Sequence, residues 1–206
     1  VVGSQQALVQ AVTENTESKP NPAADFEIDW KRQPEDSKSG IPDRVAFDDN
    51  LNALLTAGRD ANIDSGLLLI KVDKFDQLQT RYGNADAEAF LRKVVAVVCR
   101  ACRDEDLLCR YSTDMLALLM PQIDSKAGRV AAQKIRDSVR SSRFRLDAGG
   151  PEVLITASFG YTVCDPDDNP DLVVNRAGNA LAKSQRRGRN QLHLHDGSTL
   201  VHCLAG

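Results

Sequence analysis

The run Gly66-Leu-Leu-Leu-Ile-Lys-Val-Asp73 constrains this chain more than any other stretch. It has the length of a strand and no polar alternation, so it belongs at the centre of a sheet that is covered on both faces. The chain can supply that cover. Its 206 residues, 42% hydrophobic, 27% charged and 5% aromatic, suit one α/β core with an extension. Lys71 is the charge inside the run. At a strand end, a lysine either pairs with a carboxylate or reaches solvent along its apolar stem.

Helical signals surround the strand. Val45, Phe47, Leu51, Leu54 and Leu55 recur at helical spacing, with Gly58 as a stop signal. A short helix is expected over Phe75–Tyr82, broken at Gly83, and a longer one from about Ala85 to Cys102 with Phe90, Leu91, Val94, Val95 and Val98 turned inward. Leu107–Tyr111 and Met115–Met120 read as strands joined through Ser112-Thr113-Asp114, with Pro121 closing the second. A helix over Ser125–Ser142, a strand over Glu152–Val163, a helix over Pro170–Arg187 and a strand over Asn190–His195 complete the order. The pattern predicts an α+β domain over 36–195, with a mixed or antiparallel sheet of about five strands flanked by helices. Residues 1–35, rich in proline and charge and carrying Trp30, read as tail and linker, and 196–206 as a C-terminal tail.

A formal net charge of −3 gives no general attraction to nucleic acid. Neither a membrane span nor a signal peptide is visible, so a cytoplasmic segment is expected, and a start at Val1 suggests a piece of a longer protein with further domains. Cys99, Cys102, Cys109, Cys164 and Cys203 are odd in number and lie among apolar neighbours, which predicts buried free thiols. His193, His195 and His202 lack a ligand partner at metal spacing and read as exposed strand histidines. Arg186-Arg187-Gly188-Arg189 reads as a basic helix end.

Five ordered blocks resemble the GGDEF family of diguanylate cyclases across roughly 36–195. DSKSGIPDR (36–44) is similar to D-x-L-T-G-L-P-N-R, and LLLIKVDKFDQLQTRYGNADAEAFL (67–91) to the block containing D-x-D-x-F-K-x-x-N-D-x-x-G-H-x-x-G-D. RYSTDMLALLMP (110–121) falls where R-Y-G-G-D-E-F-A-x-L-L-P is expected, and ITASFGYT and ALAKSQRRGRN match the closing blocks. The resemblance implies a nucleotide-cyclase palm of ferredoxin-like kind and, in active members, the joining of two GTP molecules on divalent ions held by carboxylates.

This chain departs from that chemistry. The signature reads Ser112-Thr113-Asp114-Met115-Leu116, and Lys71 stands where the first acid of D-x-D is expected, so Asp114 is the surviving carboxylate of three. An ammonium within about 4 Å of a divalent ion repels it by several kcal/mol even at an effective dielectric near 20. Thr113 in place of glycine resists positive φ and adds atoms on the substrate side. Gln79 and Glu88 align with the guanine-gripping Asn and Asp, and can equally be solvated helix residues; Arg189 keeps a phosphate-facing arginine while Gln185 replaces the lysine beside it.

Arg103-Asp-Glu-Asp106 stands at the offset of the family's inhibitory R-x-x-D site, with Lys134 near its basic second arm; the same pair can simply cap a helix end. Taken together these residues predict a non-enzymatic GGDEF-type signalling module. Its expected ligand is cyclic di-GMP at Arg103, Asp106 and Lys134, or GTP at the remnant Gln79, Glu88 and Arg189. The alternatives are a nucleotide-free scaffold, homodimeric or bound to a partner, and an unorthodox active cyclase. No cofactor or metal is expected; Mg²⁺ belongs only to the active reading.

Overall fold

The computed structural model describes residues 36–61, 64–146, 149–165, 167–197 and 199–202, so Trp30, Cys203 and the 1–35 linker lie outside the described residues. Five helices and six strands follow in the order α1 (Arg44–Ala61), β1 (Ser65–Val72), α2 (Phe75–Tyr82), α3 (Asn84–Ala101), β2 (Leu107–Arg110), β3 (Met115–Met120), α4 (Ser125–Ser141), β4 (Ala157–Cys164), α5 (Pro170–Arg186), β5 (Leu192–His195) and β6 (Leu200–His202). They form one mixed sheet, ordered β2-β3-β1-β4-β5-β6, in which only β4 and β5 run parallel. It is the expected α+β sheet flanked by helices, with one strand more than five.

β1 lies between β3 and β4, and its side chains divide between two cores. Leu68, Ile70 and Val72 enter a core with Phe90, Leu91 and Val94 of α3 and Ile135 of α4, whereas Leu67 and Leu69 enter one with Phe47, Leu51 and Leu54 of α1 and Leu181 of α5. A strand wedged between two apolar layers has no use for polar alternation, which is why the run is continuous. α5 seats closely against β4. A Cβ built at Gly160 would lie 2.3 Å from both the Ala177 carbonyl oxygen and the Leu181 nitrogen.

Several boundaries differ for local reasons. α1 continues through Gly58, which lies on the buried face, to Ala61, so a single glycine with a helix penalty of roughly 1 kcal/mol does not end it. Val45, counted with the inward residues, is 62% exposed. β4 begins only at Ala157: Val153 bridges to Phe144 instead, and the Thr156 carbonyl accepts from the Asp73 N–H. β6 arises because three bonds close a turn that pairs 200–202 with β5: the Thr199 N–H and hydroxyl donate to the Asp196 carboxylate, and the Asp196 N–H donates to the Thr199 carbonyl. Cys99, Cys102, Cys109 and Cys164 are free thiols, but only Cys109 and Cys164 are buried; Cys102 is half-buried and Cys99 is exposed.

Candidate functional site

β1 and the β2–β3 hairpin end together, and that shared end gathers most of the signature positions. Lys71 is paired in register with Met115, which places the Lys71 Nζ 3.3 Å from Asp114 Oδ2. Of the two arrangements open to Lys71, the structure has the ion pair. The hairpin is tight: the Met115 carbonyl accepts from the N–H groups of both Tyr111 and Ser112, Asp114 C=O accepts from Val72 N–H, and the Ser112 hydroxyl reaches Asp114 Oδ1 at 3.3 Å. Neither Ser112 nor Thr113 has positive φ, so the strain expected at Thr113 does not arise; the loop spans four residues from Tyr111 to Asp114.

A cavity of about 600 Å³ opens beside the pair, lined by Lys71, Lys74, Asp76, Gln79, Thr113, Asp114, Gln185 and Arg189. Thr113 is among the residues that line this space. A divalent cation does not fit the donor set. Asp114 already faces an ammonium, Met115 offers a thioether, and Asp73 is buried with its oxygens engaged by Thr156 Oγ1 (2.8 Å), Ser158 Oγ (2.7 Å) and Asn190 N–H (3.1 Å). Among the described residues no three His, Cys, Asp or Glu side chains form a metal-sized group.

Asp73 explains how Arg189 reaches the cavity. Arg189 and Asn190 both lie in the left-handed region, with φ of 66° and 49°. That turn is pinned from below by Asp73 and from the side by Arg136, whose guanidinium donates to the Asn190 carbonyl at 2.9 Å. Glu88 is elsewhere. Instead of standing free to accept from a base, it is clasped by Arg110, Nη1 to Oε2 at 2.7 Å and Nη2 to Oε1 at 2.8 Å. Gln79 does line the cavity, its amide donating to Asn84 Oδ1 at 3.2 Å.

Arg110 is the residue the sequence reading passed over. Buried at the end of β2, it also binds Asp36 (3.2 Å) and the carbonyls of Ser112 (3.2 Å) and Thr113 (2.9 Å), tying the domain's first residues to α3 and the signature hairpin. Burial pushes the Asp36 carboxyl up, but the Ser39 and Arg110 bonds outweigh it and leave the group below its usual range. The Glu88 bond raises the Arg110 guanidinium further still. The available signal was the one that marked Lys71, a charge within an apolar strand.

The Arg103–Asp106 pair closes the α3–β2 turn. Arg103 Nη2 donates to Asp106 Oδ1 (2.7 Å) and to the Pro121 carbonyl (2.8 Å), while Asp106 Oδ2 accepts the Arg103 N–H (3.0 Å). The Asp106 side chain is 1% exposed and the Arg103 side chain 36%. Arg103 and Lys134 line one groove of about 540 Å³, floored by Ile123, Ala127, Val130 and Ala131; Asp106 does not line it. Burial, reinforced by Asp106, pushes the neighbouring Cys102 thiol up to about 12, which keeps it protonated.

His193 corrects the expectation of exposed strand histidines. It is buried against α5, with Nδ1 2.9 Å from Ser184 Oγ and its ring 4.7 Å from that of His202. Since Ser184 Oγ donates to the Phe159 carbonyl (2.7 Å), His193 Nδ1 must be the donor to Oγ.

The sequence model of the family described as "Diguanylate cyclase, GGDEF domain" matches residues 34–191. Diguanylate cyclase VdcA of Vibrio cholerae is 28% identical over 158 residues, 76% of this chain and 45% of its own length, so the chain spans under half of that relative. Diguanylate cyclase SiaD of Pseudomonas aeruginosa, solved with its activator SiaC, superposes with a TM-score of 0.74 at 25% identity, covering 78% of this chain and 61% of SiaD. The GGDEF domain of DgcB from Caulobacter crescentus, solved with c-di-GMP, has the same fold at a TM-score of 0.74 and 23% identity, covering 80% of this chain and 93% of that one.

Proposed function

The chain belongs to the GGDEF family of diguanylate cyclase domains, and on that premise we propose that it is a catalytically silent member serving as a regulatory module of cyclic di-GMP signalling. The observation that carries this reading is the Lys71–Asp114 pair at 3.3 Å. An active site for joining two GTP molecules must neutralise two triphosphates and draw a proton from a 3′-hydroxyl, work done by divalent ions on carboxylates. Here one carboxylate is neutralised by an ammonium, and the next position is Met115.

The ligand of the module is cyclic di-GMP, held in the groove of Arg103 and Lys134. A guanidinium offers a planar fork to a phosphate or a guanine edge, Lys134 supplies a second cation, and the Ile123–Val130 floor suits a stacked base. Occupancy then passes to a neighbouring domain or a second copy of the chain. One observation favours a second reading, a nucleotide-free scaffold: Arg103 and Asp106 already satisfy each other. Calorimetry separates the two. Dissociation in the micromolar range, about −8 kcal/mol, is expected with cyclic di-GMP, weakened by Lys134→Ala and by Arg103→Ala; no heat at near-millimolar ligand leaves the scaffold. Incubation with GTP and Mg²⁺ or Mn²⁺ is expected to give no cyclic di-GMP. Turnover that disappears in Asp114→Ala would overturn the silent-enzyme reading.

A further inference from the structure

We propose that His193 and His202 form a two-histidine site for a divalent transition-metal ion of the Ni²⁺ or Zn²⁺ kind, which clamps β6 onto the sheet. The pair sits on β5 and β6, at the opposite edge of the sheet from the β2–β3 hairpin, and shares no residue with the Arg103 groove. It therefore stands or falls independently of nucleotide binding.

Strand register brings the two side chains together. His193 and His202 are directly opposite across the antiparallel β5–β6 ladder, so both rings project from one face, with centres 4.7 Å apart and planes at 51° to each other. Two imidazoles that bind one ion at about 2.1 Å, with an angle of about 90–110° at the metal, have ring centres about 4.5–5.3 Å apart. The observed spacing lies inside that range.

The tautomer is the second feature. Ser184 Oγ donates to the Phe159 carbonyl and accepts from His193 Nδ1 at 2.9 Å, which leaves the His193 Nε2 lone pair unprotonated. A hydrogen bond from the other ring nitrogen is the support that metal-binding histidines use, because it fixes the tautomer and holds the ring. Burial and nearby charges lower the His193 pKa to about 4, so the ring is neutral at neutral pH, the form that coordinates. The His202 imidazole is exposed and makes no hydrogen bond among the described residues, so it is free to turn and admit an ion from solvent.

The surroundings select the ion. Lys183 and Arg187 bring positive charge near His193 and repel any cation, so only an ion with a strong preference for imidazole is held. Ni²⁺ and Zn²⁺ have that preference, with water completing their shells; Mg²⁺ and Ca²⁺ require oxygen ligands. His195 is a neighbour and not a ligand: its Nδ1 accepts the Gly197 N–H at 3.2 Å, so its Nε2 carries the proton. The consequence is mechanical. β6 is three residues long, exposed throughout and at the sheet edge, and the ion cross-links its last residue to β5.

Titration calorimetry and thermal unfolding of the untagged chain at neutral pH test the proposal. Ni²⁺ and Zn²⁺ should each bind and raise the melting temperature, and Mg²⁺ should do neither. His202→Ala should abolish the response, and Ser184→Ala, which removes the support of His193, should weaken binding by about tenfold. Imidazole NMR of the unsubstituted chain reads the contact directly even if a variant fails to fold: Zn²⁺ should shift His193 Nε2 and a ring nitrogen of His202 and leave His195 unmoved. Binding unchanged by His202→Ala places the ion elsewhere and overturns the proposal, as does absence of binding at millimolar ion or a His193 Nε2 resonance that Zn²⁺ leaves unmoved.

Discussion

Arg110 donates to two carboxylates and two backbone carbonyls, and in doing so links Asp36, Glu88 and the Ser112–Thr113 loop. Removing a buried cation from such a knot leaves carboxylates desolvated and unpaired. Arg110→Ala should therefore lower stability by about 3 kcal/mol, with urea unfolding as the measurement. Glu88→Gln, which keeps one acceptor and removes one charge, should cost about half as much. Lys71 behaves differently, because its side chain is 35% exposed. Lys71→Met should change stability by less than about 1 kcal/mol in the same urea measurement. Both residues are legible in the sequence as charges within apolar strands, and Lys71 has its partner, Asp114, within the signature block. Arg110's partners are 22 and 74 residues away.

At the scale of elements, the α5–β4 seat is the most demanding contact. Asn169 caps α5 by accepting the Leu172 N–H at 2.9 Å, and Pro170 opens its first turn, so the helix start is locally encoded. Its packing distance is set by Gly160. Gly160→Ala should push α5 off the sheet at a cost of about 2 kcal/mol; thermal unfolding will show it. Gly128 plays a similar part on the other face, where an added Cβ would lie 1.9 Å from the Tyr161 hydroxyl.

For the whole molecule, the buried His193 links stability to pH. Burial, then the nearby charges of His202, Lys183 and Arg187, lowers its pKa from 6.5 to about 4. The unfolded chain takes up a proton near 6.5 and the native protein only near 4, so the unfolded state is the more protonated between them. Stability is thus complete above pH 6.5 and falls as pH drops toward 4. Urea midpoints across that window should decline, and His193→Gln should flatten the decline. Asp36, held below its usual value, acts in the same direction but at lower pH, as its folded-state pKa is approached. The sequence by itself determined the central strand, the order of the other elements to within a few residues, and the presence of Lys71 in the D-x-D block and Met115 in the signature where the family pattern has acids, because those are matters of local pattern and residue identity. Only the tertiary structure decided which charge meets which. It set Lys71 against Asp114, gave Glu88 to Arg110 and not to a base, turned Arg103 onto Asp106, and buried His193 behind a strand absent from the local pattern. Electrostatic partnership is fixed by distances of a few ångströms across residues far apart in the chain, and no periodicity in the sequence encodes such distances.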